Sequence, residues 1–309
     1  FDRTSLSATV GWGAAKTIAG DPSPIAQEIM VIHPALAVVM LGTNDTYPTG
    51  VDPFERNLRA NVDKLLAFGV LPIVTTIPQR SDTAEAIALL PEMNAIIRAV
   101  AQAKQVPFID LAAALAPLPG YGLASDGIHL QVYSSGGAHG CWFTPDALKL
   151  GMNQRNLLTL TALDRVRRYV LERSAGAEPA PASLAGKGVW LDPLVVDAIP
   201  FVDDRDPRTD GIDQTDAYAC GTQDESGPEV VYRVELAAAA KLRIRVFSDE
   251  GADLDVHWLD GEGASSCTAR ADKMLDVDAK AGVHRLVVDT FSSGGVAKVG
   301  RYRLTLVKL

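Results

Sequence analysis

Between residues 23 and 175, apolar runs alternate with stretches in which apolar residues recur three or four positions apart. Residues 35–41 and 70–77 are largely apolar runs, and 106–111 is a shorter one, as expected of parallel strands buried on both faces. Phe54, Leu58, Val62, Leu65 and Leu66 share one helical face that stops at Gly69. A second helix is predicted over 87–105 with Pro91 near its start, and a third over about 148–173 with Leu157, Leu160, Leu163 and Val170 as its buried stripe. Strand and helix in alternation predict an α/β unit, a doubly wound parallel sheet with helices on both faces. Three strands fall short of the roughly five usual in such a sheet. An N-terminal strand is therefore expected to be missing, leaving an apolar edge or slot beside 35–41 and 70–77.

After Arg173 the composition turns to Ala, Pro, Gly and Ser, then to an acidic stretch over 203–225. From residue 229 onward the period is two. Val231, Arg233 and Glu235 alternate with Tyr232, Val234 and Leu236, while Leu242, Ile244 and Val246 alternate with Lys241, Arg243 and Arg245. Further strands fit at 254–259, 284–289 and 302–307, separated by Gly-rich turns, which predicts an all-β sandwich. The expected organisation is an α/β domain over 1–175, a linker over 176–205 and a β-sandwich over 206–309.

A chain of 309 residues is long enough for two such cores. The 38 acidic against 29 basic side chains, a net charge of −9, offer no electrostatic footprint for nucleic acid. The longest apolar run is too short to span a bilayer, so no membrane span is expected. The chain opens at Phe1 with neither Met nor a signal segment, and whatever precedes Phe1 is expected to lie outside it. Of three cysteines, Cys141, Cys220 and Cys267, the last two lie in the C-terminal third, fit no metal-binding spacing and are predicted to bridge. Such a bridge implies an oxidising compartment: secreted, periplasmic or cell-surface.

Two clusters carry candidate chemistry. Residues 35–41 run into Gly42, Thr43, Asn44 and Asp45, at the carboxyl end of a strand where an open α/β sheet binds ligands. The Asn44 amide is a candidate oxyanion donor, and Gly42 admits close backbone approach. The same residues are also what commonly ends a strand and opens a loop. Later come Asp126, Gly127, Ile128 and His129. A carboxylate three residues before a histidine can fold back onto Nδ1 and leave Nε2 for a nucleophile, or simply cap a turn. A metal at this point would need a third ligand, for which His139 is the nearest residue; neither metal nor cofactor is expected.

Gly-x-Asn-Asp at a strand end followed by Asp-x-x-His before the last helix of the domain, with Asn94 in a helix ahead of Val-Pro-Phe-Ile-Asp, resembles the SGNH or GDSL-type hydrolases over about 1–173. The resemblance implies a flavodoxin-like sheet and a Ser-His-Asp esterase in which Asp126 orients, His129 is general base and Asn44 stabilises the oxyanion. Its substrates would be carboxylic esters, small-molecule or carbohydrate, including O-acetyl groups of polysaccharide. The chain departs from that pattern in lacking a Gly-Asp-Ser stretch. Gly20-Asp21-Pro22-Ser23-Pro24 follows no apolar strand, and Ser23 reads as a helix N-cap before an N1 proline. Ser7 and Gly11 are open candidates for a second oxyanion donor. The nucleophile is accordingly expected upstream of Phe1; the alternative is a non-catalytic binding protein or pseudoenzyme.

The C-terminal region resembles the pre-peptidase C-terminal type of β-sandwich through Asp-x-Tyr-x-Cys, Gly-Pro-Glu-Val-Val-Tyr, Asp-Leu-Asp-Val-His and a closing Gly-x-Tyr-x-Leu. That resemblance implies surface or polysaccharide contact. Asp210, Asp213 and Asp216, with Asp253 and Asp255, are oxygen donors of the kind Ca²⁺ takes, although a solvated acidic linker is the simpler reading. Trp258, on an alternating strand, reads as core.

Overall fold

The three apolar runs read as strands in the first half each contain one, and the computed structural model describes these and the rest of residues 3–46, 50–174, 176 and 182–309. The chain divides into two units, Phe1–Ala180 and Pro181–Leu309.

In the first unit, α1 (Ala14–Ile18) and α2 (Pro24–Ile32) precede β1 (Leu36–Val39), α3 (Val51–Ala67), β2 (Leu71–Thr75), α4 (Ala84–Ala103), β3 (Phe108–Ile109), α5 (Leu111–Leu115) and α6 (Gly151–Val166). Thr83 starts α4 earlier than the apolar period suggests, because its side chain accepts the Ala86 N–H and caps the helix. Pro91 therefore lies inside that helix rather than at its start. The helix expected over 148–173 is divided: α6 ends at Val166 and a π-helical turn, Arg167–Leu171, follows.

The strands pair in parallel in the order β1-β2-β3, with Val38 opposite Ile73 and Thr75 opposite Ile109. On one face, Ile73 and Ile109 pack with Leu111 and Leu115 of α5 and Val166 of α6. Val39 and Val74 point the other way by the period of two and are buried as well, on the face that α3 and α4 cover. Helices thus flank both faces. The doubly wound order is not realised among the described residues, because three strands in chain order contain no reversal. Strand β1 pairs only with β2 there, and Val38 is 43% exposed. No helix of the described residues is long and apolar enough to cross a membrane.

The second unit contains β4 (Leu194–Val196), β5 (Phe201–Arg205), β6 (Val230–Leu236), β7 (Ala240–Ser248), β8 (Leu254–Leu259), β9 (Cys267–Ala271), β10 (Met274–Ala279), β11 (Gly282–Thr290), the short pair β12 (Ser292–Ser293) and β13 (Val296–Ala297), and β14 (Tyr302–Lys308). They form a four-stranded sheet, β10-β7-β14-β5, and a five-stranded sheet, β4-β6-β11-β8-β9. The stretch 176–205 is therefore not simply a linker. Its residues 177–181 lie outside the described part, but Leu194–Val196 pairs with β6 and Phe201–Arg205 with β14. Three- to five-residue strands next to prolines carry too little alternation to stand out.

Inward-facing residues of both sheets, among them Val230, Val234, Ile244, Val256, Leu286 and Leu304, form one apolar cluster. Trp258 belongs to it and is 2% exposed, a core residue and not a surface platform. A buried polar link crosses the core: the hydroxyls of Tyr232 and Tyr302 meet at 2.7 Å, and Tyr232 also donates to Asp203 at 3.1 Å. Burial raises the Asp203 carboxyl above the usual range, opposed by hydrogen bonding to Arg205.

The outer face of the five-stranded sheet is covered too. Tyr218, from the acidic stretch, packs with Val231, Leu259, Cys267 and Val287 in a second cluster. The Cys220–Cys267 disulfide, with Cα atoms 5.2 Å apart, pins this cover to β9, while Cys141 is free and exposed. Closing a loop across 47 positions removes denatured-state entropy, worth about 4 kcal/mol. Replacing both Cys220 and Cys267 by Ala is expected to lower the unfolding free energy of the second unit by about that amount, read from denaturant titration of the full chain under oxidising conditions. An unchanged midpoint would contradict this account.

Candidate active site

The loops that follow β1 and β2 and the turn around Asp126 are stitched together at one end of the parallel sheet. Arg80, after β2, donates from Nη1 to the Thr43 carbonyl and to Thr46 Oγ1, both at 2.7 Å. Its Nε and Nη2 pair with Asp82 at 2.8 and 2.5 Å, which holds the Asp82 carboxyl below its usual range. The next residue, Ser81, donates its N–H to the Gly127 carbonyl at 2.9 Å. Asn94 of α4 fastens the end of β2 by accepting from the Ile77 N–H and donating to its carbonyl, at 2.9 and 3.1 Å.

The Asp126 turn is built around one carboxylate. Oδ1 accepts the N–H groups of Ile128 and His129, both at 2.9 Å, and Oδ2 lies 2.7 Å from His129 Nδ1. These bonds, the two from backbone first, lower the Asp126 carboxyl to about 2. The chain can make the turn because Gly127 takes φ +71°, and a Cβ there would stand 2.6 Å from Ser81 Oγ. A carboxylate fixed on Nδ1 selects the tautomer whose Nε2 is free to accept a proton. His129 is exposed, and its Nε2 has no hydrogen-bond partner among the described residues.

Asn44 is exposed on an open cleft of about 600 Å³ that Thr43, Thr46, Arg80, Thr83, Glu85 and Ala86 also line. Its Nδ2 donates to the Trp12 carbonyl at 3.1 Å, leaving the second amide proton for another acceptor. Neighbouring Asp45 is buried and receives the Ala14 N–H on both oxygens at 3.0 Å, so the loop clasps the start of α1. Burial raises the Asp45 carboxyl against that hydrogen bond. Gly42 serves packing: with φ +129°, its absent Cβ would meet Phe54 and Ile77 at 3.1 and 3.2 Å.

The serines of the N-terminal stretch are engaged elsewhere. Ser23 stands at the N-cap position of α2 but is fully buried, and its hydroxyl accepts from Lys64 Nζ at 2.8 Å in place of capping. Ser5 donates to Glu28 and accepts the N–H of Ser7. His139 is engaged with the Ser135 carbonyl and stacked on Trp142, in a loop held by the buried Asn153 of α6. Neither Ser7 nor Gly11 is tied to Asn44; the contact from that region is made by Trp12. Arg80 and Ser81, which join the clusters, are the residues the sequence reading missed. They sit in a polar run, Arg80-Ser81-Asp82-Thr83, just past an apolar strand, the same signal that singles out 42–45.

Residues 6–132 match the model of the GDSL-like Lipase/Acylhydrolase family. The matched stretch takes in Asn44, Asp126 and His129. No curated protein matches the sequence. Among solved structures, an acetylxylan esterase from Geobacillus stearothermophilus is 18% identical over 38% of this chain and 60% of its own, with a TM-score of 0.33. A catalytic mutant of that esterase gives 16% identity over 50% and 68%, with a TM-score of 0.37. A GDSL-like lipase from Bacteroides thetaiotaomicron gives 19% over 45% and 67%, with a TM-score of 0.33. The chain spans about 61% of the first such esterase structure.

Because Asp126 is depressed to about 2, its support of the turn is complete above the unfolded value near 4 and is lost as pH falls through about 2. Carboxyl NMR of the full chain should place the Asp126 midpoint near 2 and show the Ile128 and His129 amide resonances moving with it. A midpoint near 4 would mean that the turn does not hold in solution.

Proposed function

We propose that the first unit is a serine esterase of the SGNH kind, cleaving carboxylic esters through an acyl-enzyme. In this reading His129 is the general base and Asp126 holds its orientation and tautomer. Asn44 donates its second amide proton to the tetrahedral oxyanion. The single observation that carries the reading is the Asp126–His129 pair, in which one carboxylate is satisfied by backbone on one oxygen and by the imidazole on the other. In the step proposed, a serine hydroxyl loses its proton to Nε2 as oxygen attacks the ester carbonyl. The proton then passes to the leaving alcohol, and water repeats the sequence to release the acid.

We further propose that this serine is borne by a strand that adds to the free side of β1. The half-exposed Val38, on a strand with one neighbour among the described residues, supports that placement. Substrates in this reading are small acyl esters or O-acetyl groups of polysaccharide, and the β-sandwich serves contact with a surface or polysaccharide. Secretion to the periplasm, cell surface or medium is supported by the disulfide. A second reading, a non-catalytic binding protein, draws on His129 Nε2 having no hydrogen-bond partner among the described residues.

The test uses the product of the complete gene and a p-nitrophenyl acetate type substrate. His129→Ala is expected to lower kcat by several orders of magnitude, since an unactivated hydroxyl is a poor nucleophile. Asn44→Ala should cost about 10²- to 10³-fold in kcat, with folding intact by circular dichroism. Hydrolysis undiminished in both variants would remove these residues from the mechanism, and a complete protein with no esterase activity would favour the binding reading.

A further inference from the structure

Beneath the acidic cover of the five-stranded sheet, four carboxyl groups, Glu225, Glu229, Asp255 and Asp289, are each at most 2% exposed. One guanidinium, Arg270, accompanies them, paired with Asp255 at 2.6 Å. His257, from β8, is fully buried among them. Its Nδ1 faces the disulfide, with Cys220 and Cys267 Sγ at 3.8 and 3.9 Å, and the Tyr218 ring stacks on it at 3.8 Å. Nε2 therefore points the other way, toward Glu225.

Several buried atoms here have no hydrogen-bond partner among the described residues: His257 Nε2, both oxygens of Glu225, Oδ1 of Asp255 and Arg270 Nε, the last lying 3.5 Å from Glu225 Oε1 as a loose ion pair. Leaving such groups unpaired away from water is costly. His257 Nε2 and Glu225 Oε1 face one another at 3.5 Å, beyond a normal hydrogen bond. Two ligands held at about 2.0 to 2.1 Å in a tetrahedral shell stand roughly 3.3 to 3.4 Å apart. Asp289 completes the set, since one donor atom each from Glu225, His257 and Asp289 lie within 4.8 Å of one another. Tyr218 donates to Asp289 Oδ2 and the Thr290 N–H to Oδ1, so that carboxylate is already oriented.

We propose that Glu225, His257 and Asp289 hold one divalent transition-metal ion of the Zn²⁺ class under the Tyr218 cover. An imidazole with two carboxylates suits zinc better than calcium, which takes six to eight oxygens. The five aspartates read from the sequence as a calcium set are not gathered into such a group among the described residues; Asp255 is taken by Arg270 and Asp253 by Lys298. Without an ion, the excess negative charge must be held by protons. Burial, then Glu225, raises Asp255 to about 7, and burial raises Asp289 to about 9, while burial lowers His257 to about 4. The ion and the protons are alternatives that experiment separates.

The full chain, produced in zinc-supplemented medium and gel-filtered without chelator, should carry one zinc per chain by plasma mass spectrometry. Cobalt(II) in its place should give visible d–d bands of a nitrogen- and oxygen-ligated site, and chelation should lower the thermal midpoint. Glu225→Gln and His257→Gln should each weaken zinc binding by at least 10- to 100-fold, the scale on which even outer hydrogen-bond partners of a ligand act. Should a variant fail to fold, the wild-type zinc stoichiometry and cobalt spectrum decide alone. A wild-type chain with neither zinc nor cobalt bands, zinc retained undiminished in both folded variants, or calcium bound in place of zinc would each overturn the site.

Discussion

A polar group taken out of water must find a partner inside, and in both units these partnerships decide which segments lie together. In the first unit, Asn61 of α3 is fully buried and donates to the Ala14 carbonyl and to its own helix, while accepting from Thr17. Asp45 receives the Ala14 N–H. Between them they set α1 against α3 and against the loop that carries Asn44. In the second unit, Tyr232 and Tyr302 join the two sheets through their hydroxyls, and Tyr218 fixes the cover through Asp289. Apolar area supplies most of the driving force, but it is indifferent to register; these directional contacts are not.

This division explains what was legible in the sequence. Strands β1 and β2 and helix α3 were, because a buried parallel strand or an amphipathic helix imposes its period on the residues themselves. The alternating strands β6, β7, β8, β11 and β14 were legible for the same reason. Strands β4 and β5 were not: they span three and five residues beside prolines, and their place depends on distant partners in β6 and β14. The Cys220–Cys267 pairing was legible from the two cysteines of the C-terminal third.

For the site, Asp126 and His129 were legible because the contact is local, three positions apart in a turn that Gly127 allows. The Arg80 bridge to Thr43 spans 37 positions and leaves no local trace, and neither does the Trp12 carbonyl against Asn44 across 32. The chemistry of a residue is written at its own position, whereas the group that orients it is chosen by the fold. Gly42 illustrates the converse, a glycine with a functional look whose place is dictated by the Phe54 ring behind it.

The Trp12 contact has a geometric consequence for Asn44. An amide group is planar, so fastening one of its two protons to a fixed carbonyl also fixes the bearing of the other. A hydroxyl in that position would swing about its bond and a water would tumble, each choosing a direction anew whenever an acceptor arrived. Here the choice is made as the chain folds, and the remaining proton has a standing direction, like a compass needle clamped at one end.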